Sequence, residues 1–213
     1  MKIRSFLAFD MPPVVKQTLG ALIADLRRMG PDLKWAVPEQ LHVTLRFFGA
    51  VEESLLSGAI ATAIRGVTAT ERPHAVHCAG LGVFPNWKYP RVIWAGFAGD
   101  TEPVIALHDR LAKALENFPL KPDERVFRLH LTIARAKGHP PPALVKTVES
   151  LGPIEFGKVP IDQLTLYKSQ LTRSGSIYTP LVELAFTGAH VAPSTGKAGG
   201  ASPSTPPCGC NKQ

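Results

Sequence analysis

The chain has 213 residues, of which 45% are hydrophobic and 19% charged, as is typical of a globular protein long enough to bury a full core. No apolar run is long enough to cross a bilayer, and the apolar stretch after the basic amino terminus is too short for a signal peptide. The net charge of +7 at pH 7 suits a polyanionic or phosphorylated partner but does not by itself identify one.

Apolar periodicity and turn residues predict alternating strands and helices along the chain. In the first half they are a strand over 3–9, a helix from Pro12 that Gly30 ends, a strand over 41–48, a helix over 52–67, strands over 75–83 and 91–97, and a helix over 101–117. In the second half they are a strand over 127–134, a helix over 143–150 and strands over 159–169 and 176–186. The repeated order of strand, helix, strand, turn and strand favours an internal duplication.

Two short segments, 41–45 and 129–133, repeat one pattern of apolar, His, apolar, Thr and apolar residues. Because residues i and i+2 of a strand point to the same side, each His lies beside its Thr while the apolar residues face a core. The two pairs are His42 with Thr44 and His130 with Thr132. If the halves are related by a twofold axis, the two pairs meet across a cleft.

Two imidazoles that titrate near neutrality suit a reaction in which one group donates a proton and another accepts one. Phosphodiester cleavage is such a reaction, and the threonine hydroxyls could stabilise charge on the phosphate oxygens. The halves contain no dense His, Asp and Glu cluster at metal-ligand spacing, so neither a metal nor another cofactor is expected. A single pair would be better explained as a half-buried His beside an ordinary strand Thr, but the duplication favours the catalytic interpretation.

The two motifs in their wider context resemble the 2H phosphoesterase superfamily, and within it the RNA 2′,3′-cyclic phosphodiesterases once named 2′-5′ RNA ligases. The segments that carry the resemblance are 41–49 and 129–135. Supporting segments are Phe6 to Phe9, Gly82 to Pro85, Pro90 to Trp94, Ser169 with Leu171, and Gly175 with Tyr178.

This resemblance implies a bilobal α+β fold, in which two antiparallel sheets line a central cleft and the helices lie outside. It also implies metal-independent opening of a terminal 2′,3′-cyclic phosphate of RNA or an oligonucleotide to a 2′-phosphate. By the family pattern, His42 is the proton donor, His130 is the proton acceptor, and Thr44 and Thr132 bind the phosphate. The near-symmetric motifs alone do not distinguish the acid from the base.

Two further residues, Phe47 and Arg135, each lie five positions after a motif His, where the family has an aromatic residue and an arginine near the substrate. Arginine is well shaped to bind phosphate. An odd offset puts a side chain opposite the His on a regular strand, so a bulge or a strand end is needed to turn it back. Arg46, at an even offset, has the right parity and is an alternative substrate-binding residue.

The expected organisation is one bilobal domain over 1–187 with two pseudo-symmetric halves, followed by a disordered tail over 188–213 that contains Cys208 and Cys210. Cys78 is the one cysteine of the domain, which rules out a disulfide framework there and favours the cytoplasm. We expect a monomer. Two other functions stay open, namely ATP-independent ligation of RNA ends with a 5′ hydroxyl replacing water, and noncatalytic binding of nucleotides or RNA in the same cleft.

Overall fold

The computed structural model describes residues 1–121, 126–172 and 175–188. The strands are β1 (Lys2–Asp10), β2 (Lys34–Trp35), β3 (His42–Glu52), β4 (His74–Phe84), β5 (Val92–Ala98), β6 (Leu131–Arg135), β7 (Glu155–Ile161), β8 (Gln163–Thr172) and β9 (Gly175–Ala185). The helices are α1 (Pro13–Met29), α2 (Glu53–Leu55), which continues through a π turn (Leu56–Ile60) into α3 (Ala61–Thr68), then α4 (Glu102–Ala114) and α5 (Pro142–Ser150). A 3₁₀ turn, Pro38–Gln40, precedes β3.

The strands form two antiparallel sheets, which confirms the predicted α+β class. Sheet A has the order β3-β1-β8-β9, and sheet B has the order β2-β6-β5-β4-β7. In both sheets the strand of the His and Thr motif pairs with the long strand that precedes it across a helix, so β1 pairs with β3 and β5 with β6. The two motifs therefore occupy equivalent positions in the two sheets.

The two lobes do not coincide with the two halves of the sequence. The β4–β5 hairpin follows the first motif but joins the sheet of the second motif, and the β8–β9 hairpin follows the second motif but joins the sheet of the first. The chain thus passes between the two sheets four times, at β1 to β2, β2 to β3, β3 to β4 and β7 to β8. The two sheets share one hydrophobic core, which makes the lobes a single packed unit.

The motif strands bury the residues that alternation predicts. Leu41, Val43 and Leu45 are at most 2% exposed, and Leu131 and Ile133 are fully buried. Outside the cleft, α1 packs on β7 and α5, while α3 packs on α4 and on the β8–β9 hairpin. Buried apolar faces on the helices and strands thus hold the two motif strands in place from behind.

The structure corrects the second motif strand, which was predicted over 127–134 but spans Leu131–Arg135. The residues just before it are not part of the sheet, and the Phe127 ring stacks on His108 of α4, with ring centroids 4.2 Å apart. His130 therefore lies just before its strand, whereas His42 is the first residue of β3. The sequence prediction also missed β2, a two-residue edge strand that pairs with the end of β6.

Candidate active site

A cleft of about 740 Å³ lies between the two sheets, and both motifs line it. From sheet A it receives His42, Thr44 and Phe47, and from sheet B it receives His130, Thr132 and Arg135. The structure therefore brings together every predicted site residue except Arg46, which is not among the described residues that line the cleft.

The imidazole of His42 is oriented by the backbone just before its strand. Its Nδ1 lies 2.7 Å from the carbonyl oxygen of Gln40. Because a carbonyl only accepts a hydrogen bond, Nδ1 carries the proton in this contact and Nε2 is left to exchange a proton with a ligand.

The imidazole of His130 is held in the same way. Its Nδ1 lies 2.7 Å from the carbonyl oxygen of Arg128, again two residues earlier in the chain. The Phe84 ring packs edge-on against the imidazole, with centroids 5.0 Å apart and an interplanar angle of 84°. One backbone arrangement thus sets the same tautomer on both histidines.

A β-bulge follows each His at the same distance along the chain. In β3 the register passes from Thr44 to Arg46 and leaves Leu45 without an opposite residue on β1. In β6 it passes from Thr132 to Ala134 and leaves Ile133 without one on β5. One extra residue reverses the alternation of the strand, so the residue five after each His returns to the cleft.

The bulges determine which of the candidate substrate-binding residues line the cleft. Phe47 and Arg135 line the cleft, and the Arg135 Nη2 lies 3.4 Å from the Thr132 Oγ1. Arg46, which regular alternation placed on the cleft side, lies opposite the buried Leu7 and its Nη2 donates to the Lys121 carbonyl at 2.8 Å. The parity argument for Arg46 was wrong because it assumed a strand without a bulge.

The two histidines differ in the charges around them. Burial lowers the pKa of His42, while the Gln40 carbonyl and the Asp10 carboxylate raise it and Lys16 lowers it further. Burial also lowers the pKa of His130, where the Arg128 carbonyl raises it and the Arg135 guanidinium lowers it. Burial therefore favours the neutral form of both imidazoles; Asp10 opposes this at His42, and Arg135 adds to it at His130.

Sequence reasoning did not assign a role to the aromatic residues that surround His42. The Phe6 ring stacks on the imidazole at 4.8 Å, and the Tyr178 ring meets it edge-on at 5.2 Å. The contact with Tyr178 brings β9 to His42 although β1 and β8 lie between β9 and β3 in sheet A. The Gln40 side chain also donates to the Ser176 carbonyl at 3.0 Å, which ties the β8–β9 hairpin to the motif.

The cleft is positively charged. Its described lining includes the cations Arg4, Lys34 and Arg135 and contains neither Asp nor Glu. Across the described part of the chain, no group of three or more His, Cys, Asp and Glu residues is placed to hold a metal ion. These residues suit an anionic ligand bound by hydroxyl, imidazole and guanidinium groups.

Comparison with known proteins agrees with this arrangement. A family model described as the 2′-5′ RNA ligase superfamily matches residues 12–173. The chain belongs to this superfamily. A relative from Aeropyrum pernix named RNA 2′,3′-cyclic phosphodiesterase is 34% identical over 78% of this chain and 93% of its own length. One of the same name from Methanothermobacter thermautotrophicus is 32% identical over 85% of this chain and 97% of its own.

Solved structures share the fold. The protein TT0787 of Thermus thermophilus superimposes with a TM-score of 0.74 and 27% identity, covering 88% of this chain and all of that one. Escherichia coli LigT in complex with 3′-AMP has a TM-score of 0.66 at 22% identity, covering 88% of this chain and 99% of LigT. Within the described ranges, no helix has the length and apolar character needed to span a membrane.

Proposed function

We propose that this superfamily member hydrolyses the terminal 2′,3′-cyclic phosphate of RNA to a 2′-phosphate by acid–base catalysis with two histidines and no metal ion. The observation that carries the proposal is the pair of imidazoles in one cleft, each with Nδ1 bound to a backbone carbonyl and with a Thr two residues later. The name shared by the relatives supports the substrate class.

The phosphate would lie between the two motifs. Thr44 and Thr132 would donate hydroxyl hydrogen bonds to its non-bridging oxygens, and Arg135, next to Thr132, would add a positive charge. Donors fixed before the reaction stabilise the added negative charge of the pentavalent transition state without reorganising.

The reaction is then a single in-line displacement. Nε2 of His130 takes a proton from water as the water oxygen bonds to phosphorus, and the bond between phosphorus and the 3′ oxygen breaks. Nε2 of His42 gives its proton to that oxygen, which becomes the 3′ hydroxyl. Both protons are accounted for, and the product carries a 2′-phosphate.

The charges near the two histidines support this division of roles. Asp10 lies directly opposite His42 in the pairing of β1 with β3, and the Tyr167 hydroxyl donates to its Oδ2 at 2.5 Å. Burial and this hydrogen bond raise the pKa of Tyr167, so the hydroxyl keeps its proton and remains a donor. Asp10 thus opposes the lowering of the His42 pKa by burial and Lys16, while Arg135 adds to the lowering of the His130 pKa and so favours the form that accepts a proton.

The test incubates the protein and excess EDTA with a short RNA that ends in a 2′,3′-cyclic phosphate, and identifies the product by mass spectrometry and sensitivity to phosphatase. We expect a 2′-phosphate end in the presence of the chelator. Activity that disappears with EDTA would contradict the metal-free mechanism. Tight binding without turnover would favour the noncatalytic module, and a longer RNA formed with a 5′-hydroxyl acceptor would favour ligation.

A further inference from the structure

Arg4 is a cation in the cleft that the proposed chemistry does not use. It is exposed, lines the cleft on β1, and has no carboxylate partner among the described residues. Arg135 and Lys34, in contrast, lie directly opposite each other where β6 pairs with β2, so both belong to the end of the cleft beside Thr132. The position of Arg4 therefore requires a separate explanation.

Along β1, the backbone position of Arg4 is separated from the position that faces Thr44. Thr44 lies opposite Ala8, four residues from Arg4, which corresponds to roughly 13 Å at the rise of an extended strand. The rings of Phe6 and Phe47, with centroids 6.0 Å apart, occupy the surface between them. A phosphate bound at Arg4 would therefore be a different phosphate of the same ligand.

The surface between these two positions is apolar and exposed. Phe47 is 60% exposed although it lines the cleft, and Leu171 and Ile177 on the β8–β9 hairpin are 62% and 50% exposed. Large apolar side chains exposed together in a cationic cleft are suited to stack on or pack against a nucleobase. Phe47 lies opposite Phe6, between Arg4 and the motif residues.

We propose that Arg4 and Phe47 form a second subsite, in which Phe47 packs against a base and Arg4 binds a phosphate upstream of the reacting one. The inference rests on the proposed function and specifies its substrate class. The substrate is an oligoribonucleotide with at least one nucleotide before its cyclic end, rather than a nucleoside 2′,3′-cyclic phosphate.

The test compares kcat/KM for a nucleoside 2′,3′-cyclic phosphate, which has no upstream phosphate, with that for a tetraribonucleotide ending in a 2′,3′-cyclic phosphate. We expect the unaltered protein to favour the tetranucleotide. Arg4→Ala should lower kcat/KM on the tetranucleotide about tenfold, through KM, and leave the nucleoside substrate unchanged. Arg4→Lys should recover part of the loss because it restores the charge without the bidentate geometry.

Three further variants make the test specific. Phe47→Ala should lower kcat/KM on both substrates, because the base between the reacting phosphate and the next phosphate upstream is the terminal base, which both substrates carry. Arg65→Ala removes a positive charge from the exposed face of α3, outside the cleft, and should change neither substrate. Equal losses on both substrates for Arg4→Ala, or a selective loss for Lys34→Ala in its place, would overturn the second subsite.

A binding measurement separates this inference from the proposed function. A fluorescent tetranucleotide ending in a 3′-phosphate has no cyclic bond to open, so its anisotropy reports affinity alone. Arg4→Ala should weaken binding about tenfold and reduce the slope of log K against log salt by about 0.7, the value for one phosphate contact on a single strand. An unchanged slope would contradict the subsite even if the protein cleaves RNA, and failed cleavage with a changed slope would contradict only the proposed function.

Discussion

The two lobes present the same backbone arrangement with different charges around it. In each lobe, a His donates Nδ1–H to the carbonyl two residues earlier, a Thr follows two residues later, and a bulge one residue beyond the Thr returns a further side chain to the cleft. Sheet A adds a carboxylate, Asp10, whereas sheet B adds a guanidinium, Arg135. Repeated geometry thus places two imidazoles at the cleft, and the proposed division of their roles rests on the different charges beside them.

The lobes also differ in how firmly they enclose the imidazole. His42 lies against three aromatic rings, those of Phe6, Tyr167 and Tyr178. His130 contacts the Phe84 ring and is the less deeply buried of the two histidines. A proton acceptor that activates water benefits from access to solvent, and a proton donor to the leaving oxygen does not need it.

The largest expected effect comes from removing the imidazole of either motif. His42→Ala and His130→Ala should each lower kcat about 10³-fold on an RNA with a cyclic end, because each removes one proton transfer from the transition state. The matched control is His77→Ala, which removes an exposed His of β4 outside the cleft and should retain full activity. Retention of most activity in either cleft variant would show that only one imidazole takes part.

The next largest effect is expected from removing the hydroxyl of either threonine. Thr44→Val and Thr132→Val keep the shape of the side chain but remove the hydroxyl donor, and each should lower kcat about 10²-fold with a smaller change in KM. Thr62→Val, at an exposed position of α3, is the control. A loss confined to KM would mean that the hydroxyls bind the substrate without stabilising the transition state.

Removing the carboxylate of sheet A should affect only the alkaline side of the pH profile of kcat/KM. A proton donor loses activity as the pH rises through its pKa, and Asp10 raises the pKa of His42. Asp10→Asn should therefore move the alkaline limb to lower pH, with a several-fold loss near neutrality. Asp25→Asn, on the exposed face of α1, should leave both limbs in place.

Removing the cation of sheet B should affect the other limb. A proton acceptor loses activity as the pH falls through its pKa, and Arg135 lowers the pKa of His130. Arg135→Ala should move the acidic limb to higher pH, while Arg135→Lys, which keeps the charge, should leave the limb in place and reduce only the rate. Movement of the alkaline limb in Arg135→Ala would reverse the assigned roles.

The sequence was sufficient to predict what depends on local alternation. The spacing of His, Thr and apolar residues predicted which side chains are buried and which face outward, and the burial of Leu41, Val43 and Leu45 agrees. It also predicted that Phe47 and Arg135 need a bulge or a strand end to reach the cleft. It could not place the two bulges. Leu45 and Ile133 are unpaired only because of how β3 is aligned with β1 and how β6 is aligned with β5.

The sequence could not reveal the neighbours that differ between the lobes. Asp10 and Tyr178 lie far from His42 along the chain, and their proximity depends on the assembly of β3, β1, β8 and β9 into one sheet. The residues before the second motif strand likewise make a tertiary contact that the sequence did not predict, the stacking of Phe127 on His108.

The smallest expected effect concerns the segment after the two lobes. The backbone N–H groups of Thr187 and Gly188 donate to the carbonyls of Thr68 and Glu71, which attaches this end of the domain to the last turn of α3. Removal of residues 189–213 leaves those bonds intact and should change neither kcat/KM nor the melting temperature. A loss of activity on truncation would assign the segment a part in catalysis or substrate binding.

The most direct test of the assigned roles replaces the 3′ bridging oxygen of the cyclic phosphate with sulfur. A thiolate leaves without taking a proton, because a thiol is a far stronger acid than an alcohol. His42→Ala should therefore recover most of its lost activity on the sulfur substrate, while His130→Ala should remain as impaired as on the oxygen substrate. Recovery by His130→Ala and not by His42→Ala would contradict the account.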